Sequence, residues 1–347
     1  MENQTCFEYN NCSNHSNGSY YAHFGGPAVH PVSEFIYDYI CPVLAVVGIV
    51  CNTITFIALL RPPINSISVS VYLKAYCIAA ILTWILMIKL NWVLDKSESR
   101  HFSSMSQISC RIWSFLTCIV TFSGFWFITG AAVDRVFILW TPIKAQSLCT
   151  VFMAKNAVVF ILIGLTAVSI HALWMYNMSP QFICYFERGD YFNRLWLWAS
   201  GFLLGCLPLI LLFTFGNLMI IRFCLKHHGR QMPDLSKNEI DVTYAVMIIS
   251  LIVFSCAMPS NVLHFMHIMN DENGRSLTLL FEFATYISWI CYLCVFYVLI
   301  IRCNVFRDSL KDAFNEIISR LRRKRAHIEL KTLKPEYNQV PSTSTSV

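Results

Sequence analysis

Residues 110–142, CRIWSFLTCIVTFSGFWFITGAAVDRVFILWTP, form a long apolar stretch with almost no charge until Asp134 and Arg135 near its end. About 20 apolar helical residues are enough to cross the roughly 30 Å hydrocarbon core of a bilayer. A carboxylate beside a guanidinium at the end of such a helix is expensive to bury and usually serves a function. The stretch therefore predicts a membrane helix that carries a charged, switch-like pair at one end.

The same apolar pattern recurs along the chain. With 56% hydrophobic and 13% charged residues, the 347-residue chain differs from an ordinary soluble domain. Runs of helix length exclude a membrane β-barrel, whose strands are about half as long and alternate in polarity. We therefore expect an all-α membrane protein, a seven-transmembrane helix bundle. Its predicted spans are residues 35–60, 69–94, 107–139, 153–175, 195–224, 240–267 and 277–301.

The distribution of lysine and arginine predicts the orientation of the bundle. Neither residue occurs before Arg61, whereas both accumulate in alternate loops and in the last 46 residues, from Arg302 onward. Because cytoplasmic segments carry the excess of cations, we expect the amino terminus outside and the carboxyl terminus inside. The net charge of +6 then reflects membrane topology and requires no nucleic-acid partner. We expect a multi-pass protein of the plasma membrane.

Residues 1–34 predict an extracellular tail that carries glycans. This tail contains two cysteines, Cys6 and Cys12, which could pair with each other or with Cys41, and the spacing does not decide between these pairings. It has neither a basic nor an apolar segment of the kind found in cleavable signal peptides, so we expect the first span to carry it across the membrane. The predicted glycosylation sites are Asn3, Asn11, Asn14 and Asn17, each in an N-x-S/T sequon.

The chain after the predicted transmembrane domain (35–301) divides into two parts. Residues 302–321 place apolar side chains at helical spacing and predict a short amphipathic helix on the inner membrane surface. The basic cluster at its end is suited to anionic membrane lipid. Residues 322–347 predict a disordered cytoplasmic tail that offers serines and threonines to kinases, and the ending TSV could bind a PDZ protein.

Several polar and breaking residues lie inside the predicted spans. Asn52 could cap its own helix backbone or bond to a neighbouring helix, and the sequence favours neither. Pro208 and Pro259 each remove a backbone hydrogen bond and predict kinks in the fifth and sixth helices. Two kinked neighbours would let the inner ends of these helices swing.

The ionisable residues near the outer ends of the spans are the candidates for a ligand site. Lys89 could extend its ammonium group to the outer surface or turn it into the bundle. The other candidates are Glu187 and Asp190 in the second outer loop, with His264, His267 and Glu282 in the sixth and seventh helices. Neither a metal site nor a cofactor site is predicted.

The sequence gives little support to an enzyme, a transporter or a channel. The chain has no H-E-x-x-H, Walker or G-x-S-x-G motif, so we expect no enzyme. Repeated halves with broken helices, typical of transporters, are not evident. Neither are the polar rings of a channel.

The motifs together resemble the rhodopsin-like, class A G-protein-coupled receptors from about residue 35 to 320. Asn52 matches the first-helix asparagine of the family, and Asp134-Arg135-Val136 matches its D-R-Y motif with valine for tyrosine. Pro208 and Pro259 match its fifth- and sixth-helix prolines. Among family members the chain looks most like invertebrate FMRFamide-type neuropeptide receptors and related nematode chemosensory receptors. The resemblance also implies a Cys110–Cys184 disulfide, which the oxidising outer compartment would permit.

The chain departs from the family pattern at the centre of the bundle. Ala80 stands where the family has its second-helix aspartate, and Gly124 stands where it has a serine that helps to hold sodium. The C-W-x-P motif has lost its tryptophan at Ala257, and the fifth-helix tyrosine is replaced by Gly216. Cys291 replaces an asparagine, and Val295-Phe296-Tyr297-Val298-Leu299 replaces N-P-x-x-Y. We predict an apolar replacement with neither a central sodium site nor the water network of the family.

The resemblance implies a receptor that binds an extracellular ligand and activates a heterotrimeric G protein, with Asp134 and Arg135 as the switch. A neuropeptide is the favoured ligand, because acidic outer residues would complement a basic amidated peptide. Alternatives are a chemosensory receptor for a small molecule, a ligand-binding decoy with weak signalling and, less favoured, a membrane transporter. Arrestin is a further partner that the resemblance implies.

Overall fold

The computed structural model of the chain describes residues 32, 35–89, 105–178, 184–186, 191–227, 235–269 and 274–333. Within these ranges seven helices are long and apolar enough to cross a membrane. An eighth helix, α8 (Asn304–Leu333), follows the seventh. The predicted all-α bundle of seven membrane helices with a helix after the seventh is therefore confirmed. The spans are α1 (Cys41–Leu59), α2 (Val69–Leu86), α3 (Gln107–Trp140), α4 (Val151–Met175), α5 (Leu195–Leu225), α6 (Lys237–His264) and α7 (Leu280–Arg302).

Shorter elements extend and connect these spans. The helical backbone of α6 continues to Met269, and that of α7 begins at Gly274. Two short strands, β1 (Tyr176–Met178) and β2 (Cys184–Phe186), pair antiparallel in the second outer loop. The remaining elements are π-helical turns at Ile36–Ile40, Trp84–Lys89 and Phe202–Cys206, a 3-10 turn at Ile64–Ser66, and helical segments at Pro142–Leu148, Ala172–Met175, Tyr191–Gly201 and Leu207–His227.

Polar caps and a proline set the ends of two membrane helices. α3 begins with a capping box in which Ser106 accepts from the Ser109 backbone N–H and the Ser109 hydroxyl accepts from the Ser106 backbone N–H. Thr150 caps the first turn of α4 by accepting from the Met153 backbone N–H. Such caps satisfy the free N–H groups of the first helical turn. Shortly after α3 ends, Pro142 opens the next short helix because its fixed φ suits a first turn.

Close packing between helices depends on small residues and large aromatic neighbours. A Cβ placed at Gly48 of α1 would lie 2.3 Å from Nε1 of Trp84, so the indole packs directly on the glycine backbone. Large exposed apolar side chains instead lie on the outer faces of the helices, where lipid would cover them, for example Val43, Val46, Phe160 and Ile163. Since lipid is as apolar as leucine, such contacts between helices rely on close fit and internal hydrogen bonds.

Asn52 makes both of the contacts that the sequence left open. Its Nδ2 donates to the Gly48 carbonyl of its own helix at 2.8 Å and to the Tyr292 carbonyl of α7 at 2.9 Å. The side chain is buried, with 1% exposure. One amide therefore both caps α1 locally and joins α1 to α7.

The prolines that were predicted to kink two helices lie in different local structures. Pro259 lies inside the continuous helix of α6. Pro208 follows directly on the π-helical turn Phe202–Cys206, and its carbonyl accepts a hydrogen bond from Thr129 of α3 at 3.2 Å. A π turn before a proline relieves the steric conflict with the preceding carbonyls. Swinging of the inner helix ends about these prolines stays a prediction.

The helix after the seventh span is longer than the sequence pattern indicated. It continues to Leu333, past residue 321, because the following residues are strong helix formers and Arg325 pairs with Glu329 at 3.2 Å. The helix is joined to the first inner loop by a hydrogen bond from Arg61 of that loop to Glu316 of α8. The guanidinium of Arg61 holds the pKa of the Glu316 carboxyl below its ordinary value, with Arg320 adding to the effect.

Candidate functional site

The inner end of α3 carries a buried charged cluster. Asp134 and Arg135 form an ion pair through Oδ2, and Arg135 Nε donates to the same oxygen at 3.0 Å. Ser68, just before α2, donates to Asp134 Oδ2 at 2.8 Å and accepts from Arg135 Nη2 at 3.0 Å. Arg135 is only 1% exposed. We call Asp134, Arg135 and Ser68 the inner charged cluster.

The inner charged cluster is stable because each charge is paired, but it leaves one donor unused. Burying an ion costs several kcal/mol unless a partner and hydrogen bonds offset that cost. Nη1 of Arg135 is buried and has no hydrogen-bond partner. The guanidinium of Arg135 is therefore fully enclosed but incompletely satisfied.

Cys149 closes the inner charged cluster from the second inner loop. Its Sγ donates to the backbone carbonyl of Asp134 at 3.5 Å. Burial, and after it the neighbouring Asp134 carboxylate, raises the pKa of the Cys149 thiol to about 12. The thiol therefore stays protonated at neutral pH and acts as a weak donor, since reactive cysteines need a depressed pKa.

Further contacts hold the inner ends of the helices together around this cluster. Arg222 of α5 donates from Nε to the Leu139 carbonyl of α3 at 3.1 Å, and its guanidinium lies 5.6 Å from the centre of the Trp140 ring. On the other side, Asn304 of α8 donates to Asp241 of α6 at 2.9 Å. These contacts join α5 to α3 and α6 to α8 at the inner face.

The centre of the bundle is filled by aromatic rings. Tyr76 of α2 and Tyr292 of α7 stack with ring centroids 6.0 Å apart, and Phe125 of α3 lies 6.2 Å from Tyr292. The Tyr76 hydroxyl donates to the Cys291 carbonyl at 2.9 Å, and the Tyr292 hydroxyl donates to the Thr121 carbonyl at 2.7 Å. We call Tyr76, Phe125 and Tyr292, packed over Gly124, the central tyrosine cluster.

This arrangement adds polar groups to the apolar replacement that the sequence predicts at the centre. Ala80, at the position of the family's aspartate, is fully buried. Two phenols nevertheless supply polar groups there, and each hydroxyl is satisfied by a backbone carbonyl of another helix. These tyrosines were not predicted from the sequence, because a tyrosine in a membrane helix gives no motif signal. The absence of a sodium site stays a prediction.

The outer mouth is held by the Cys110–Cys184 disulfide, which the structure confirms, with Cα atoms 5.6 Å apart. The bridge attaches the β1–β2 hairpin to the outer end of α3. Gln107 Nε2 donates to Asn177 Oδ1 at 2.6 Å, and Arg111 donates to the Tyr176 carbonyl at 3.0 Å. The paired strands are therefore fixed to α3 by one covalent bond and several hydrogen bonds. Cys41, a candidate partner for the tail cysteines, is a buried free thiol.

Two of the predicted ligand-site residues lie on the neighbouring helices α6 and α7. His264 of α6 stacks on Phe281 of α7 with ring centroids 5.5 Å apart, and Glu282 is the next residue along α7. Lys89 and His267 lie in helical backbone, but their side chains lie outside what the structure describes. Glu187 and Asp190 also lie outside the described residues, as do the glycosylation candidates Asn3, Asn11, Asn14 and Asn17.

The part of the chain that the structure describes contains no group of three or more histidine, cysteine or acidic residues able to hold a metal ion. Two contributors to the site were not predicted from the sequence. Ser68 could have been found only by knowing that the start of α2 lies against the end of α3. Arg111 could be noticed as the one cation at the outer end of the third stretch.

Comparison with known proteins agrees with this architecture. Residues 51–297 match the family model described as 7 transmembrane receptor (rhodopsin family). No curated protein shows a significant match to the chain. Members of this family are receptors rather than enzymes, and membership implies a ligand and a heterotrimeric G protein. The seven spans, the Cys110–Cys184 disulfide and the match over most of its length show that the chain belongs to the rhodopsin family of seven-transmembrane receptors.

Proposed function

We propose that the protein is a plasma-membrane receptor that binds an extracellular neuropeptide and activates a heterotrimeric G protein. The observation that supports G-protein activation is the inner charged cluster, in which Arg135 is enclosed and bonded to Asp134 and Ser68. A charge enclosed in this way can be released only by a rearrangement that supplies a new partner. In the proposed active state that partner is the G protein.

The proposed mechanism connects the outer mouth to this cluster through α6 and α7. A ligand bound near His264 and Glu282 would draw the outer ends of these helices together, while Pro259 gives α6 a point at which to bend. Such a two-state bundle moves only as far as the ligand's differential affinity for the two states allows. Opening of the inner face would then expose Arg135.

A peptide is the proposed ligand because of the chemistry of the outer face. Glu282 lies at the mouth within α7, and the outer loops add Glu187 and Asp190, so acidic groups would face a basic ligand. The resemblance to FMRFamide-type receptors supports the same ligand class. An amine is disfavoured because the position two turns below Cys110 is occupied by Leu116, Thr117 and Cys118, none of which is acidic.

One observation favours a second candidate, a ligand-binding decoy with weak signalling. The residues at 80, 124 and 291 have replaced the polar relay of the family, so the outer site and the inner cluster are connected through different groups. We favour a signalling receptor because the inner charged cluster is complete. Arrestin and PDZ partners also remain proposals, since the last residues of the chain lie outside the described part.

The test is ligand-free G-protein signalling in cells with matched surface expression. Wild type is compared with Arg135→Ala, with mock-transfected cells and with the control Arg320→Ala, which removes an exposed arginine 72% accessible on α8. We expect basal signal in wild type and in the control, and loss of that signal in Arg135→Ala. Signal that persists in Arg135→Ala would contradict the proposed switch.

A silent wild type leads to a second step, in which basic amidated peptides are screened for both binding and response. Binding that is weakened at least tenfold by Glu282→Gln would support the peptide site. Peptides that bind with no response in any assay would instead support the decoy. Responses to small odorants alone would support a chemosensory receptor.

A further inference from the structure

Three hydrogen bonds from side chains to backbone carbonyls join four helices at the centre of the bundle. Asn52 of α1 and Tyr76 of α2 donate to the consecutive carbonyls of Tyr292 and Cys291 in α7. Tyr292 in turn donates across the bundle to the Thr121 carbonyl of α3 at 2.7 Å. Of these three bonds, only the last joins α7 to the helix that carries Arg135.

Gly124 makes the bond between Tyr292 and Thr121 sterically possible. A Cβ at this position would lie 3.0 Å from Cε1 of Tyr292 and 3.5 Å from Cε2 of Tyr76. The 3.0 Å separation from the Tyr292 ring is shorter than an ordinary van der Waals contact. A larger residue would therefore push the Tyr292 ring outward. The glycine and the two tyrosines therefore form one interlocking unit.

The central tyrosine cluster holds the helices without charge. Tyr76, Tyr292 and Cys291 are each 1% exposed, so water cannot readily replace the carbonyl partners of the hydroxyls. In a low-dielectric interior a buried hydroxyl that loses its partner carries the full cost of desolvation. The bond is consequently either made or broken, which suits a two-state element.

The cluster also lies between the two ends of the receptor. Thr121 is eleven residues from Cys110 and fourteen residues from Arg135 along α3. At 1.5 Å per residue these separations are about 16 Å and about 21 Å, so the cluster sits near the middle of the membrane span. A movement of α7 that begins at the outer mouth is therefore transmitted to the inner end through the part of the helix that contains the cluster.

We propose that the hydrogen bond from the Tyr292 hydroxyl to the Thr121 carbonyl is a latch that holds α7 against α3 in the resting receptor, and that activation breaks it. Tyr76 and Gly124 position the Tyr292 ring. The groups that make the latch are neutral, a phenol and a backbone carbonyl. This inference rests on the proposed function, in which the enclosed Arg135 marks the resting state.

The first test is ligand-free signalling of Tyr292→Phe, which removes one oxygen and retains the ring. The Thr121 carbonyl is not orphaned by this change, because it remains within the helical backbone of α3. We expect basal signal to rise about fivefold, the effect of one net hydrogen bond on a two-state equilibrium. The matched control is Tyr39→Phe in the π-helical turn before α1, whose side chain is 66% exposed, and we expect no change there.

The second test measures the conformation of the inner face of the receptor in the absence of any G protein. Cys224 lies near the inner end of α5 with an exposed side chain, and an environment-sensitive fluorophore attached there in purified receptor reports on the inner face. Labelled Cys224→Ser protein provides the background that is subtracted. We expect the emission of Tyr292→Phe to shift relative to wild type, whereas that of Tyr39→Phe stays unchanged.

The two readouts separate failure of the latch from failure of the proposed function. An unchanged fluorophore in Tyr292→Phe would overturn the latch, whatever the signalling result. A shifted fluorophore with no G-protein signal in any variant would leave the latch standing and reject the proposed coupling. A shifted fluorophore with an unchanged basal signal, in a receptor whose signal depends on Arg135, would also overturn the latch, because release would then not activate.

Discussion

The inner end and the centre of the bundle both join helices in a medium of low dielectric constant, but they use different chemistry. The inner charged cluster keeps two full charges that are paired with each other and with Ser68. The central tyrosine cluster contributes neutral phenols that donate to backbone carbonyls. The comparison indicates that the same apolar medium can hold helices together either through paired full charges or through neutral donors on backbone carbonyls.

Asp134→Ala is expected to have the largest effect, because it leaves the buried guanidinium of Arg135 without its counter-charge. Removing one partner of a buried ion pair typically costs about 3–5 kcal/mol. The measurement is thermal or denaturant unfolding of purified receptor. Asp308→Ala is the matched control, since its pair with Lys311 is 72% and 73% exposed and exposed pairs contribute about 0–1 kcal/mol. Equal losses in both variants would remove the distinction between buried and exposed charge.

Ser68→Ala is expected to have an intermediate effect. The Ser68 hydroxyl bonds to both Asp134 and Arg135, and hydrogen bonds to charged groups contribute about 1.5–3 kcal/mol. The same unfolding measurement is compared with Ser66→Ala, whose hydroxyl bonds to a backbone carbonyl on the exposed surface. If Ser68→Ala were as mild as Ser66→Ala, the serine would not belong to the inner charged cluster.

Gly124→Ala tests the centre, where the cost arises from crowding rather than charge. The added methyl would press on the Tyr292 ring, and such overpacking costs about 1–3 kcal/mol. Gly164→Ala in α4 is the control, because nothing lies within 4 Å of the added carbon there. In a helix interior that change should instead stabilise by about 0.5–1 kcal/mol. Opposite signs for the two glycines would sharpen the comparison, and equal signs would contradict it.

The smallest expected effect concerns an ion pair outside the membrane, that of Arg61 and Glu316. The Arg61 guanidinium lowers the pKa of Glu316 below its ordinary value of 4.5. A carboxyl whose pKa is lower in the folded than in the unfolded state stabilises the folded state at pH values above its unfolded pKa. This contribution is lost as the pH falls through the pKa of the folded state. We therefore expect the attachment of α8 to be constant between pH 7 and about 5 and to loosen below about 4.5.

Hydrogen exchange of the α8 segment, corrected for the intrinsic pH dependence of exchange, measures this attachment. In Glu316→Gln the segment should already be loosened at neutral pH and should show little further change on acidification. Glu329→Gln, which removes the exposed pair with Arg325, is the control. A pH response that survives in Glu316→Gln would assign the effect to another group.

Much of the fold followed from composition and periodicity. The third predicted span, 107–139, agrees closely with α3 at Gln107–Trp140, because its polar cap and the threonine–proline pair at its end give local signals. The second span was predicted to run to residue 94; α-helical geometry ends at Thr83 and a π-helical turn continues to Lys89, while residues 90–94 lie outside the described residues. Hydropathy depends on how apolar the residues are, so it cannot predict the change from α-helix to the π-helical turn at Trp84–Lys89.

The candidate site was predicted only where one residue type at a fixed spacing carries the chemistry. Asp134, Arg135 and the disulfide pair are of that kind. Ser68 and Tyr292 are ordinary residues, and their roles depend on contacts with residues more than 60 positions away in the chain. Tertiary contacts of this kind leave no periodic trace in a single sequence, which is why the centre was expected to be apolar.

The fit of Tyr292 over Gly124 also constrains how this sequence could have arisen. With any side chain at position 124, a tyrosine at 292 would meet it at about the 3.0 Å separation calculated for a Cβ. Substitutions at the two positions are therefore not independent, and their effects should not add. On a stepwise mutational path, a glycine at 124 that precedes the tyrosine at 292 avoids a crowded intermediate. Introducing alanine at position 124 today should accordingly cost less if the tyrosine at 292 had first been replaced by a smaller residue.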